Sequence, residues 1–263
     1  MKALRLLSML PQNPREFIGR IATIGEGRLE LLRKPPVYEV TSRHEVFAAL
    51  TASLGSNILA RLQEPQLLDI ESRVEALRKG MPENAPFRSD HNADAVVAGL
   101  CYALVRALQP SLVVETGVCY GVTSAHLLQA LSANGSGHLH SIDLPPLGKN
   151  GNDFVGWFVP TELRSQWTLH RGTSRRLLRP LLTALGSIDL CIHDSLHTYR
   201  NMTHEFQVAW SALRPGGLLV SDDIEGNGAF AELMTAPDVL CSFVMEQGSK
   251  HSLVGVAVKR KER

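Results

Sequence analysis

Val113-Val114-Glu115-Thr116-Gly117-Val118-Cys119-Tyr120-Gly121-Val122-Thr123 passes from an apolar, β-branched run through two glycines into a segment with helical spacing. In a doubly wound α/β sheet, ligands bind at the carboxyl ends of the strands, where such a strand-to-helix turn lies. Gly117 and Gly121 let the backbone turn tightly and approach a ligand without a Cβ clash. Thr123 brings a hydroxyl, and a helix start offers free N–H groups and positive potential to a carboxylate. The spacing is not G-x-G-x-x-G. Cys119 and Tyr120 stand where a pyrophosphate wants glycine, which counts against a nicotinamide dinucleotide.

On either side of this turn, short apolar runs alternate with longer amphipathic ones. The runs cover 112–115, 138–143, 167–170, 188–194 and 218–223, with helical patterns over 93–108, 123–133, 161–165, 175–185 and 200–213. Apolar runs that end on a polar residue or glycine read as buried parallel strands, and the alternation predicts a doubly wound, Rossmann-like α/β sheet. Two further strand-like runs, 240–246 and 252–259, flank Gln247-Gly248-Ser249 and predict a closing antiparallel hairpin. Asp143 ends the second run about 20 residues beyond the turn, where a carboxylate can accept from a ribose diol. A capping aspartate is the plainer reading, and for Glu115 it is a strand-end carboxylate bonded to local backbone.

Residues 1–88 read differently from 89–263, with helical patches over 14–24, 44–63 and 67–79 broken by Pro35-Pro36 and Pro65. This predicts a mostly helical N-terminal region ahead of the sheet domain. Up to Pro36, seven Lys and Arg residues face three Glu. Such a basic amphipathic segment suits peripheral contact with anionic lipid or a partner, or is simply a solvated helix face. A formal charge of +1 supplies no global basic field, so no nucleic acid is expected as substrate. The start, 1–10, is too short and interrupted for a signal peptide, and no run is long enough to span a bilayer. Cys101, Cys119, Cys191 and Cys241 form no C-x-x-C pair, as suits a reducing cytoplasm. The oligomeric state is not set by the sequence.

Asp194 ends one run, with His197 three residues later, and Asp222-Asp223 end another. If these strands are neighbours, three carboxylates meet on the ligand edge and repel unless a cation neutralises them. Hard oxygen donors suit Mg²⁺. The segment 144–160, with Lys149, Trp157 and Phe158, is long for a connection. It reads either as a lid or as a surface loop packed by its aromatics.

Taken together, Glu115-x-Gly117-x-x-x-Gly121-x-Thr123, Asp143, Gly172-Thr173-Ser174 and the Pro215-Gly216-Gly217 turn resemble class I S-adenosylmethionine-dependent methyltransferases over about 112–259. The resemblance implies a seven-stranded sheet with the closing hairpin. It places Glu115, Gly117, Gly121 and Thr123 at the methionine part of S-adenosylmethionine, Asp143 at the ribose and Ser174 at the adenine edge. Cys119 departs from the glycine of many members. The Asp194, His197 and Asp222-Asp223 pattern is similar to metal-dependent O-methyltransferases of the catechol, caffeoyl-CoA and macrolide-sugar types. It implies Asp194, Asp222 and Asp223 as ligands of a divalent metal, His197 as general base, and a small-molecule hydroxyl acceptor, with a sugar or glycosylated metabolite favoured. The rival readings are a nicotinamide-dependent oxidoreductase and a non-catalytic, membrane-associated scaffold.

Overall fold

The computed structural model describes residues 6–7, 10–11, 13–30, 33–83, 85–86, 93–147, 150–248 and 252–261. Expectations that touch Lys2, Arg5, Ser89, Lys149 or Ser249 lie outside these residues. The chain begins with α1 (Pro14–Glu30), α2 (Arg43–Leu54), α3 (Ile58–Arg61) and α4 (Pro65–Lys79). The single helical pattern read over 44–63 is two helices. Gly55 takes φ +67 and caps α2, and Asn57 restarts the chain by accepting from Ala60 N. Ser42 and Glu45 close a reciprocal capping box at the other end of α2, and Pro65 sits in the first turn of α4, where its missing N–H costs nothing. Next comes α5 (Ala95–Leu108), capped by Asp94 and buried over 97–105. It shares one apolar cluster with Val46, Leu50, Ile58 and Ile70 of the N-terminal helices and with Val113, Leu190 and Val220 of the sheet.

Seven strands follow: β1 (Leu112–Thr116), β2 (His138–Asp143), β3 (Trp167–Arg171), β4 (Ile188–His193), β5 (Leu213–Ser221), β6 (Val239–Glu246) and β7 (Leu253–Lys259). Their order is β3-β2-β1-β4-β5-β7-β6, parallel except for β7, which runs antiparallel to both β5 and β6. The expected closing hairpin is therefore present. Between the strands lie α6 (Val122–Asn134), α7 (Gly151–Phe154), a 3-10 turn (Thr161–Gln166), α8 (Ser174–Leu185), α9 (Tyr199–Ala212) and α10 (Ala229–Met234). The Pro215-Gly216-Gly217 turn lies inside β5 rather than before it. Gly216 adopts φ +78, and the register against β4 shifts between Ile188 and Leu190.

This topology decides where the chemistry sits. Thr116 pairs with Ile142 and His193, and His193 with Ser221, so the parallel strands end in one row. The next residues, Gly117, Asp143, Asp194 and Asp222, stand side by side on the carboxyl edge. Backbone bonds from Gly117 N to Ile142 O (2.8 Å), Asp194 N to Thr116 O (2.8 Å) and Asp222 N to His193 O (2.9 Å) carry the ladder one step into the loops. Among the described residues no helix is long and apolar enough to cross a membrane.

Candidate functional site

A cavity of about 420 Å³ opens on this edge, between the glycine turn, the end of β2, the start of α8 and the loop after β4. Its size falls within the roughly 300–1,000 Å³ of small-molecule sites. Of the residues singled out in the sequence, Gly117, Asp143, Ser174 and Asp194 line it. Gly117 must be glycine, with φ +86 and the Asp194 carbonyl oxygen only 1.9 Å from where a Cβ would stand. That constraint comes from the neighbouring strand as well as from any ligand.

Asp143 is the polar feature of the cavity floor. Its Oδ2 accepts from Val118 N (2.8 Å) and Cys119 N (3.1 Å), whereas its buried Oδ1 has no hydrogen-bond partner. Burial pushes its carboxyl above the usual range, against the pull of those two N–H groups. A buried acceptor left bare is costly, so Oδ1 is ready for a hydroxyl donor.

Glu115, Gly121 and Thr123 are buried behind the cavity and do not line it. Glu115 Oε2 accepts from Ser124 Oγ (2.7 Å) and Ser141 Oγ (2.6 Å), and complete burial raises its carboxyl to about 7. Gly121, at φ +85, lets the 144–160 connection pass, because a Cβ there would lie 2.9 Å from Gly156 Cα. That connection is packed by aromatics. Phe154 and Phe158 lie against Tyr120 (ring centroids 6.4 and 5.4 Å apart), and Phe158 N bonds Tyr120 O at 2.8 Å.

Two contributors were missed in the sequence. Glu205, fully buried on α9, is the hub beneath the edge. Its Oε2 accepts from Thr116 Oγ1 and lies 2.7 Å from His193 Nδ1, and its Oε1 accepts from Ser195 Oγ (2.7 Å) and Asn201 Nδ2 (2.8 Å). Ser174 adds a further hydrogen bond. Although burial pushes the carboxyl up, His193 and the hydroxyl donors hold it down to about 2. The signal was a carboxylate on the apolar stripe Met202, Phe206 and Ala209 of α9. The second contributor is α1, whose Gly19, Thr23 and Glu26 form a wall of the cavity. Glu26 pairs with Arg175 at 2.9 Å, and Arg20 bonds Pro145 O at 2.5 Å.

Beside Asp194, outside the lining, stands His197. Its Nε2 lies 3.7 Å from Asp194 Oδ1 and its Nδ1 3.7 Å from Asp223 Oδ2. Asp222 Oδ1 accepts from Gln247 Nε2. Asp223 Oδ1 accepts from Gln247 Nε2 (3.2 Å) and Ser252 Oγ (2.7 Å). The strands are neighbours, as expected, yet the three aspartates do not converge on a common centre. Among the described residues no group of three His, Cys, Asp or Glu side chains could hold a metal ion. In this arrangement the donor set does not fit a divalent ion. Asp222 and Asp223 are instead tied through their Oδ1 atoms to Gln247, and Asp223 also to Ser252.

Residues 114–224 match the family model described as a methyltransferase domain. The chain carries a methyltransferase domain. The match begins on β1 and ends just past β5, so it contains the glycine turn, Asp143 and the Asp194, His197 and Asp222-Asp223 constellation. Among solved structures, the chain is similar to an O-methyltransferase from Streptomyces achromogenes involved in tomaymycin synthesis, in complex with S-adenosylmethionine. The identity is 18%, over 82% of this chain and 96% of that one, with a TM-score of 0.54. It is also similar to the O-methyltransferase from Bacillus cereus in complex with S-adenosylhomocysteine, at 15% identity over 82% of this chain and 97% of that one, with a TM-score of 0.55. At these identities the likeness is one of fold. No curated protein matches the chain. Within the methyltransferase domain, the cavity occupies the edge position where doubly wound sheets bind their ligands.

Proposed function

We propose that the chain transfers a methyl group from S-adenosylmethionine to a hydroxyl oxygen of a small molecule. The observation that carries this reading is the bare Oδ1 of Asp143, buried on the floor of a cavity walled by the glycine turn of a methyltransferase domain. Asp143 fits a ribose hydroxyl, which donates the hydrogen bond that Oδ1 lacks. Gly117 and Gly172-Thr173-Ser174 leave space on either side of it. When bound, S-adenosylmethionine supplies an electrophilic methyl on a sulfonium centre.

What the chain supplies is alignment and one proton transfer. Holding the acceptor in line with the methyl removes most of the entropic cost of a bimolecular reaction. His197, next to the cavity residue Asp194, takes the hydroxyl proton in its neutral form, and Asp194 and Asp223 on either side stabilise the imidazolium that results. The resemblance to the macrolide-sugar branch favours a sugar or glycosylated metabolite as acceptor.

Calorimetric titration with S-adenosylmethionine, S-adenosylhomocysteine and NADH tests the donor assignment. We expect binding of the first two, and binding of NADH alone would overturn the reading in favour of an oxidoreductase. Exhaustive chelation with Mg²⁺ add-back reads the metal question separately. Turnover that falls and returns would show that the reaction needs a divalent ion, for which Asp194, Asp222 and Asp223 are the candidate ligands.

A further inference from the structure

Helix α1 has its polarity reversed with respect to the body of the protein. Gly19, Thr23, Glu26 and Glu30, spaced i, i+4, i+7 and i+11, share one face, and the first three of them line the cavity. Ile18, Ile21, Ala22 and Leu29, with Ile24, lie on the outer side of the helix and point to solvent. Ile18 and Leu29 are each 63% exposed and Ile21 is 46% exposed. Eight of the eleven exposed large apolar side chains among the described residues fall between Leu7 and Val40. Scattered single exposures are ordinary, but a contiguous stripe on one helix marks a surface that something covers.

Charge says what kind of surface it meets. All three acids of α1 are engaged within the protein. Glu16 pairs with Arg20 at 2.8 Å, Glu26 is buried against Arg175, and Glu30 Oε2 accepts from Tyr199 N at 3.0 Å. Arg28 on the helix and Lys34 just beyond it are exposed, whereas Arg33 pairs with Glu30 at 3.7 Å and stacks 3.9 Å over the Tyr199 ring, and the sequence up to Pro36 carries seven basic residues against three acidic ones. A second copy docked through the same face would have to offer acids to those cations, and all three acids of α1 are already engaged. An anionic surface pairs with them.

The attachment of α1 is equally informative. It is held by the Glu26 ion pair, the Arg20 bond to Pro145 O and the Glu30 bond to Tyr199 N, which are polar ties. Gly25 and Gly27 meet nothing within 4 Å, although each lowers helix propensity by about 1 kcal/mol relative to Ala. Close packing does not account for them.

We infer that the outer face of α1 is a docking surface for an anionic lipid bilayer, with Ile18, Ile21 and Leu29 entering the headgroup and acyl boundary while Arg28 and Lys34 meet lipid phosphates. Partial insertion of such a stripe, with added attraction to anionic headgroups, is how interfacial helices bind. The inner face continues to wall the cavity while the outer face is docked.

The test is vesicle flotation of the full-length chain, without cofactor, on phosphatidylcholine alone and on its mixture with phosphatidylglycerol. We expect flotation with the mixed vesicles only, weakened by salt. A variant carrying Ile18→Glu, Ile21→Glu and Leu29→Glu should lose at least about tenfold in partitioning while keeping the wild-type thermal transition, since all three sites are exposed. Arg28→Glu keeps the apolar stripe and should reduce the preference for anionic over neutral vesicles. No flotation of the wild type, equal flotation on both vesicle types, or an unaffected triple variant would overturn the inference. So would light scattering that shows a wild-type dimer and a monomeric triple variant, because a second copy would then be the occupant.

Discussion

Replacing Glu205 with glutamine tests whether one buried carboxylate holds the carboxyl edge together. Two donors converge on each of its oxygens: Thr116 Oγ1 and His193 Nδ1 on Oε2, and Ser195 Oγ and Asn201 Nδ2 on Oε1. Glutamine keeps one acceptor and turns an NH₂ toward the other pair. The hydroxyls can rotate to accept, but nitrogen donors cannot adapt so freely. If the NH₂ faces Asn201, two amide donors oppose each other. If it faces His193, the ring must carry its proton on Nε2, which is buried without a partner. Each unsatisfied buried group costs about 1–3 kcal/mol, and loss of the charge beside His193 brings the total to about 3–5 kcal/mol. The carboxyl itself gives the same scale, since a fall from 4.5 to about 2 on folding is worth roughly 3 kcal/mol. Its folded value lies below its unfolded one, so this stabilisation is complete above about 4.5 and is lost as pH falls toward 2. Glu115 acts in the opposite sense, its contribution being complete below 4.5 and lost as pH rises through about 7, but it is present in both proteins and cancels. Urea unfolding at neutral and acid pH is the assay. We expect a deficit of a few kcal/mol at pH 7 that narrows toward pH 3. A loss below about 1 kcal/mol, or a deficit independent of pH, would refute the hub role.

Four further outcomes follow from the same geometry. Asp143→Ala should weaken S-adenosylmethionine binding by about 1–3 kcal/mol in calorimetry, the scale of a charge-assisted hydrogen bond, and unchanged affinity would remove Asp143 from the ribose. His197→Ala should lower turnover by about 10²- to 10⁴-fold with donor affinity nearly intact, and an unimpaired variant would rule out the base. Gly117→Ala places a methyl against the Asp194 carbonyl at positive φ. It should destabilise by roughly 1–3 kcal/mol from crowding plus about 1–2 kcal/mol from backbone strain, read as a lower Tm. Removing residues 1–36 should leave a cooperative thermal transition but weaken donor binding by about tenfold or more, since Gly19, Thr23 and Glu26 go with it. Unaltered binding would mean that α1 is not a functional wall.

The sheet was legible because its central strands, β1, β4, β5 and β7, are largely buried, which leaves short apolar runs whose ends carry the site. All seven strands and the closing hairpin follow from that pattern, with boundaries displaced by a few residues, whereas the order of the strands across the sheet does not. The β5 boundary moved most, because a glycine bulge is locally indistinguishable from a turn. Gly117 and Asp143 were legible for the same reason, as strand-end residues whose neighbours in space are set by parallel register. The missing parts depend on contacts between elements distant in sequence. Which way Asp222 and Asp223 turn depends in part on Gln247 and Ser252, which arrive from the hairpin and donate to their Oδ1 atoms. Glu205 looked like one more charge on an amphipathic helix until His193 and Asn201 were seen to meet it. Helix α1 was legible as basic and amphipathic, but periodicity identifies two faces without saying which one turns inward. The usual rule buries the apolar face. Here Glu26, with Arg175 and Thr198 waiting beside the cavity, makes the polar face the inner one and leaves the isoleucines outside. A helix that turns Gly19, Thr23 and Glu26 to the cavity carries its apolar residues on the outer side. That inversion is a consequence of where the site lies, and no window of local sequence contains it.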